Sequence, residues 1–268
     1  MVNHLGIAWQ ATPIGAIDPE DFYDFQVNRP VVEIEGGQTQ RLIWPTTRIS
    51  VARAQPADEP GMSAAPPTGL SRDVVLVHGI EPNMRWRAFC DELVSAFTEL
   101  DVELVILLGA LLADSPHTRP VQVTAAATDT VLAAQLHVEP VEYKGPTGIV
   151  GVLQHACAAA GIPSVSLWAA VPHYVAQAPS PKATLALLRG VEDVLDTTLP
   201  LADLPEEARA WERGVDELAE QDTEVAEYVK TLEDAKDATE LPEASGDAIA
   251  REFERYLRRR GNRGGERS

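Results

Sequence analysis

Residues 74–87, VVLVHGIEPNMRWR, constrain the fold of this chain more than any other stretch. Val74, Val75, Leu76 and Val77 read as a buried strand. The loop His78-Gly79-Ile80-Glu81-Pro82-Asn83 follows, and a helix opens at Met84-Arg85-Trp86-Arg87. In an α/β domain, ligands bind where strands end and helices begin. A histidine, a glutamate, an asparagine and two arginines are more polar groups than a turn needs. The loop is therefore a candidate site, with no reaction yet attached to it.

The rest of the chain repeats this strand-to-helix step. Residues 2–11 read as the end of a helix, with Leu5, Ile7 and Trp9 near an apolar face, and residues 12–17 as a strand. Residues 31–35 and 40–44 flank Gly36-Gly37 and predict a β-hairpin, with 46–52 continuing its sheet. Residues 54–71 are rich in Pro, Ala and Gly and read as a flexible linker or surface loop. Trp86, Phe89, Leu93, Phe97 and Leu100 then recur at helical spacing across 84–100. Strands are expected at 102–108, 121–125 and 164–168, and helices at 130–136, 148–160 and 181–195, the last with Ser180 as N-cap and Pro181 at its first position. Alternating strands and helices predict an α/β class with an open, mostly parallel sheet covered on both faces.

The character changes at Pro200. Asp203-Leu204-Pro205-Glu206 has the form of a capping box with a carboxylate cap. Trp211, Val215, Leu218, Val225, Val229 and Leu232 step by three and four, interrupted by Asp222. A turn at 241–246 and a second helix at 247–259 complete an acidic helical hairpin. The expected organisation is an α/β body over 1–200, the hairpin over 201–260 and a disordered tail over 261–268. The hairpin is either a lid packed on the body or a coiled-coil-like arm for a partner.

A formal net charge of -19 argues against nucleic acid, since phosphate binding needs a basic surface. Cys90 and Cys157 lie on apolar sides of expected helices with no CxxC motif, and read as reduced core thiols. The N-terminus MVNHLGIAWQ has no leader pattern and no apolar run is long enough to span a bilayer, so the reading is a cytoplasmic protein without membrane contact.

Four loops are expected to converge at one edge of the sheet. They are 78–87, with His78, Glu81, Asn83 and Arg85; 109–120, with Asp114, His117 and Arg119; 142–151, with Gly145, Thr147 and Gly148; and 169–174, with His173 and Tyr174. In the third loop Thr147 is read as a helix cap, and Gly145, Gly148 and Gly151 leave backbone N–H groups for an anion. The spacing is neither GxGxxG after a strand nor GxxxxGK[ST], and close helix packing also calls for glycine. Three histidines with Glu81 and Asp114 are donor types for a metal or for acid–base chemistry. No pair has metal-ligand spacing, so no metal and no cofactor is assigned. The alternative is that the histidines fix the geometry of their loops. No GxSxG elbow is present, which disfavours a hydrolase triad. Arg85 and Arg87 suit a carboxylate or phosphate, or pair internally with Glu81, Asp91 or Glu92.

At these loops the chain resembles the bacterial branch of the proteasome assembly chaperone 2 family. The segments that carry the likeness are AIDPEDFYDFQVNRP (16–30), RLIWPTT (41–47), VHGIEPNMRWRAFCDEL (77–93), LGALLADSPHTRPV (108–121), YKGPTGIVGVL (143–153), SLWAAVPHYVAQAPSPKATLALL (166–188) and PEEARAWERGVDELAEQD (205–222). The resemblance implies a three-layer α/β/α body similar to nucleoside phosphorylases, with a C-terminal helical extension. It implies a non-catalytic chaperone role, with proteasome subunits as candidate partners and self-association. Some members carry an ATP-grasp carboligase label, but this sequence lacks the matching lysine and carboxylate pattern. Family members begin with a further strand and a loop of the EGWNDAG kind, whereas this chain starts within the helix that follows. A chain shortened at its start, lacking the family's first strand, is therefore expected. The leading expectation is a binding or assembly protein without turnover. The alternative is an enzyme or sensor for a small anion or nucleotide at the loop edge.

Overall fold

The computed structural model of the protein describes residues 1–35, 38–54, 72–140 and 144–240. It is a mixed α/β fold that divides into two compact units, Met1–Gly109 with Ala125–Leu167, and Ala110–Thr124 with the chain from Trp168 onward.

In the first unit, α1 (Val2–Ala8) precedes β1 (Thr12–Ala16), which joins β4 (Arg48–Ala52) and β5 (Val74–His78) in a sheet of order β1-β4-β5. The hairpin forms as expected between β2 (Val31–Glu35) and β3 (Gln38–Ile43). Gly36-Gly37, read as its turn, lie outside the described residues, as do residues 55–71 of the expected linker. Residues 46–52 do not continue the hairpin. Strand β4 pairs instead with β1 and β5, because Ile49, Val51 and Ala52 are buried in the body while Val31, Val32 and Ile34 of the hairpin are exposed.

The strand directions correct the expectation of a mostly parallel sheet in this part of the chain. β1/β4, β4/β5 and β2/β3 are antiparallel, and β7/β8 is parallel. Parallel neighbours need a crossover of a dozen or more residues, usually a helix. Between β1 and β4 the chain instead spends its length on a short 3-10 turn (Pro19–Asp21) and the hairpin.

Helix α2 (Trp86–Glu99) buries Phe89, Cys90, Leu93 and Phe97, which meet Ile17, Phe22, Tyr23, Ile49 and Cys157 in one cluster. The predicted stripe is thus right in its middle. Leu100 falls past the last turn and is 40% exposed. Burying each such large apolar side chain stabilises the fold by about 1.5–3 kcal/mol. Cys157 comes from α4 (Ile149–Ala159), which packs against α2. Both thiols are free and buried, and burial pushes each up to about 11.

A second sheet has the order β6-β9-β7-β8, from β6 (Val105–Ala113), β7 (Val123–Ala127), β8 (Glu139–Pro140) and β9 (Ser164–Pro172). Helix α3 (Thr130–Leu136) links the parallel β7 and β8, and the Asp129 carboxylate accepts from Leu132 N–H at 2.8 Å to cap it. β6 and β9 both outrun their expected ends. The apolar run VILLGALLA carries no proline or polar residue before Asp114, and Gly109 alone does not break it.

The second unit stacks α5 (Pro181–Leu195) on α6 (Leu204–Gln221) and α6 on α7 (Thr223–Glu240). Ser180 Oγ accepts from Ala183 N–H and Pro181 opens α5, as expected. The capping box at Asp203 does not form. Asp203 already has helical backbone angles (φ -84, ψ 0), so its side chain makes no capping bond. Its carbonyl accepts from Glu206 and Glu207 N–H instead. Asp222 is extended, and its Oδ1 accepts from Glu224 N–H at 3.0 Å and Val225 N–H at 3.3 Å. The periodic series is therefore two helices with a capped break. Val215, Ala219, Val229 and Leu232 are buried, while Leu218 is 61% exposed. The turn read at 241–246, the helix at 247–259 and the tail at 261–268 lie outside the described residues. Among the described residues, no helix is long and apolar enough to cross a membrane.

Candidate functional site

The expected loop residues fall into two groups, one in each unit. In the first unit, the loop after β5 clasps residues 18–28. Asn83 Oδ1 accepts from Asp24 N–H at 2.9 Å and from Asn28 Nδ2 at 2.7 Å, while Asn83 N–H donates to the Phe22 carbonyl at 2.8 Å. Arg85 pairs with Asp21 and lies 5.7 Å over the Phe22 ring. It takes a left-handed backbone (φ 55) to open α2. Trp86 Nε1 donates to the Pro82 carbonyl at 2.6 Å. Tyr23 donates to the Ile80 carbonyl at 3.0 Å and meets Thr47 Oγ1 at 2.8 Å. Burial is the main cause of its raised pKa. Gly79 is required here, since a Cβ would fall 2.1 Å from Thr47 Oγ1 and 2.7 Å from Thr47 Cα.

The first and third loops meet at the start of α4. Glu81 Oε1 accepts from Ile149 N–H at 2.8 Å, at the start of α4. The N-cap residue is Gly148, which has no side chain, so Glu81 supplies the carboxylate that a local cap would. A Cβ at Gly148 would stand 3.0 Å from that oxygen. Thr147 does not cap the helix as expected. Its Oγ1 lies over Gly151, where a Cβ would be 2.0 Å away. One backbone N–H of the helix start that was offered to an anion in the sequence reading, that of Ile149, thus faces a carboxylate of the chain itself. His78 and Gly145 are exposed.

In the second unit, the second and fourth loops meet each other and the C-terminal helices. His117 is 2% exposed. Tyr174 Oη accepts from His117 backbone N–H at 2.8 Å and contacts Nδ1 at 2.8 Å, while Nε2 contacts Asp216 Oδ1 on α6 at 2.9 Å. The pattern closes with the imidazole proton on Nε2 and the phenol donating to Nδ1. Burial pushes the Tyr174 phenol up to about 12. Lys182 on α5 donates to the His117 carbonyl and pairs with Glu212 on α6 at 3.1 Å.

Asp114 Oδ1 receives both His173 Nε2 at 2.8 Å and Tyr228 Oη of α7 at 2.6 Å. The hydrogen bond to Asp114 is the main cause of the raised Tyr228 pKa. Arg119 sets its fork on Asp237, Nε to Oδ1 at 2.8 Å and Nη2 to Oδ2 at 2.7 Å, and reaches Glu233 at 3.3 Å. That contact holds the Asp237 carboxyl below the usual range. Thr118 donates to Glu233 as well.

These bonds use Asp114, His117, Arg119, His173 and Tyr174 to fasten loops to α6 and α7. Among the described residues no three His, Cys, Asp or Glu side chains gather as a metal site. Sequence reasoning missed Lys182, Asp216, Tyr228, Glu233 and Asp237. The spacing by four of Glu212/Asp216 and of Glu233/Asp237 puts paired acids on one helix face, a signal that marks the acids but not the loop residues they meet.

The sequence pattern of the PAC2 family matches residues 1–219. The chain belongs to the PAC2 family. The family read from the motifs is the one this match finds. Among solved structures, a PAC2 family protein from Streptomyces avermitilis is 56% identical, with 85% of this chain and 91% of that one covered and a TM-score of 0.74. A proteasome-assembly chaperone homologue from Mycobacterium tuberculosis is 55% identical over the same shares, 85% and 91%, with a TM-score of 0.73. The PAC2 fold extends to an archaeal proteasome activator from Pyrococcus furiosus, at 18% identity, 81% and 86% coverage and a TM-score of 0.61. A comparison with curated proteins finds no match to this PAC2 chain.

Proposed function

We propose that this protein is a non-catalytic, chaperone-like binding protein that acts on proteasome components. The observation that carries the reading is its 55% identity, across 85% of the chain, to the proteasome-assembly chaperone homologue of Mycobacterium tuberculosis. The geometry agrees. The histidines, tyrosines and carboxylates that looked like a reaction centre are bonded into the joints of the second unit, and Glu81 occupies the start of α4. Their role is to shape loops for contact with another protein. His78 and Gly145, exposed on loops of the first unit, are candidate contact residues. Self-association and a cytoplasmic location belong to the same reading. For the architecture, the β7-α3-β8 crossover supports a layered α/β/α arrangement of the nucleoside-phosphorylase kind around the second sheet.

The test is to mix the full chain with proteasome α-subunits and follow complexes on native gels. A new complex, or faster ring assembly, supports the proposal. Unchanged mobility and an unchanged assembly rate overturn it.

A further inference from the structure

A groove of about 490 Å³ runs through the first unit between residues 16–19 and residues 41–44, with Thr46 and Arg48 also on its wall. Both walls are runs of consecutive residues. Successive side chains of a strand point to opposite faces, so a groove that touches consecutive residues lies along a strand's edge. Strand β3 is bonded to β2 on one side only, and β1 to β4 on one side only, among the described residues. An unpaired edge offers a row of backbone N–H and C=O groups to an incoming chain. The β1 edge is blunted, because Pro13 has no N–H to offer. Strand β3 has no proline, and past its own register shift at Gln40 residues 41–43 pair regularly with residues 31–33, so this stretch is the better template.

The side chains around this edge have the composition of a protein-binding surface rather than a solvated one. Trp44 is 41% exposed and Leu42 44%, and Trp44 is held by an edge-on contact with Phe25 at 4.8 Å between ring centres. Tryptophan and arginine are the residues that most often dominate interface energies. Arg41 and Arg48 both line the groove of a chain whose net charge is -19. Among the described residues Arg41 pairs with Glu33 at 3.7 Å, the two side chains being 66% and 56% exposed. Such a pair is weak and readily exchanged for another carboxylate. Asp18, the acid on the opposite wall, is engaged with Glu20 N–H at 3.0 Å.

We propose that this groove binds an extended, carboxylate-bearing segment of a partner protein by strand addition along β3. Backbone bonds to β3 supply the main-chain match, Trp44 and Leu42 receive alternate apolar side chains, and Arg41 and Arg48 select acidic ones. The inference rests on the reading of the protein as a binder of other proteins. It names the surface and the chemistry of the segment bound.

The test titrates the full chain into a fluorescein-labelled, end-capped peptide of alternating valine and glutamate, read by anisotropy. Four companions accompany it: the lysine-for-glutamate peptide, two peptides N-methylated on alternate amides in the two registers, and the Arg41→Glu/Arg48→Glu double variant, checked for fold by circular dichroism. The expected result is saturable binding of the glutamate peptide, weakened about tenfold or more by the lysine swap, by N-methylation in one of its two registers, and by the double variant. Equal binding of the lysine peptide, indifference to N-methylation in both registers, or no binding of the glutamate peptide overturns the proposal. If the double variant instead turns an oligomer into a monomer while no peptide binds, the groove is a contact between copies and the proposal also falls. Peptide binding needs no proteasome subunit. Loss of the peptide with retention of an α-subunit complex would sink the groove and spare the assembly role, and the converse would do the reverse.

Discussion

His117 and Asp216 stand 99 residues apart in sequence and meet at 2.9 Å, joining the loop after β6 to the middle of α6. The imidazole is 1% exposed and the carboxylate 47%. Removing the carboxylate leaves a buried ring nitrogen without its acceptor, which costs about 1–3 kcal/mol. Asp216→Ala is therefore expected to lower stability by that amount in urea unfolding, and Asp216→Asn, which keeps an acceptor oxygen, by less. Equal loss from the two variants would show that the bond itself is not what matters.

Tyr174 makes a pH prediction. Its phenol is pushed up to about 12 in the folded chain against 10.0 for the free group, so the folded state holds this proton more tightly than the unfolded one. The associated stability is fully present below pH 10 and is lost as pH rises from 10 to about 12. Ultraviolet titration of the wild type against Tyr174→Phe should assign one late-ionising phenol to this position. A difference spectrum with ordinary ionisation near 10 would refute the assignment.

Glu81 acts on α4 from outside the helix. Glu81→Ala should cost about 0.5–2 kcal/mol, the usual worth of an N-cap. Gly148→Ala places a methyl 3.0 Å from Glu81 Oε1 and should cost less in a Glu81→Ala background than alone. Thermal melts of the two single variants and the double variant give the coupling directly. Strict additivity would mean that the two positions do not meet.

Arg119 holds the far end of α7 by its planar fork. Arg119→Lys keeps the charge but cannot reproduce the two-pronged bond to Asp237. Hydrogen exchange of the amides at 233–240 should accelerate, while those of α4 keep their wild-type rates. Uniform exchange across both helices would overturn this placement.

The legible parts of the sequence were those whose signal is local. Ser180-Pro181 marks the start of α5, and the spacing of Phe89, Leu93 and Phe97 marks the buried side of α2. Local signals also misled. Asp203 has the composition of a cap but helical backbone angles, and Gly109 looks like a strand end inside a strand. The partners of the candidate residues were not legible. Asp216 and Glu233 reach His117 and Arg119 from about a hundred residues away, and no spacing rule connects such positions. Direction was the other blind spot, because apolar alternation is the same in a parallel and an antiparallel strand.

The two thiols in the core of the first unit leave this protein well suited to labelling. With each held up to about 11 and sealed from solvent, only about one in ten thousand is ionised near neutral pH, and alkylating reagents act on the thiolate. A cysteine introduced on the surface would thus react alone, without removal of either native one. Spectroscopic probes can be set on either unit of the unaltered fold, and distances between them followed as a partner binds.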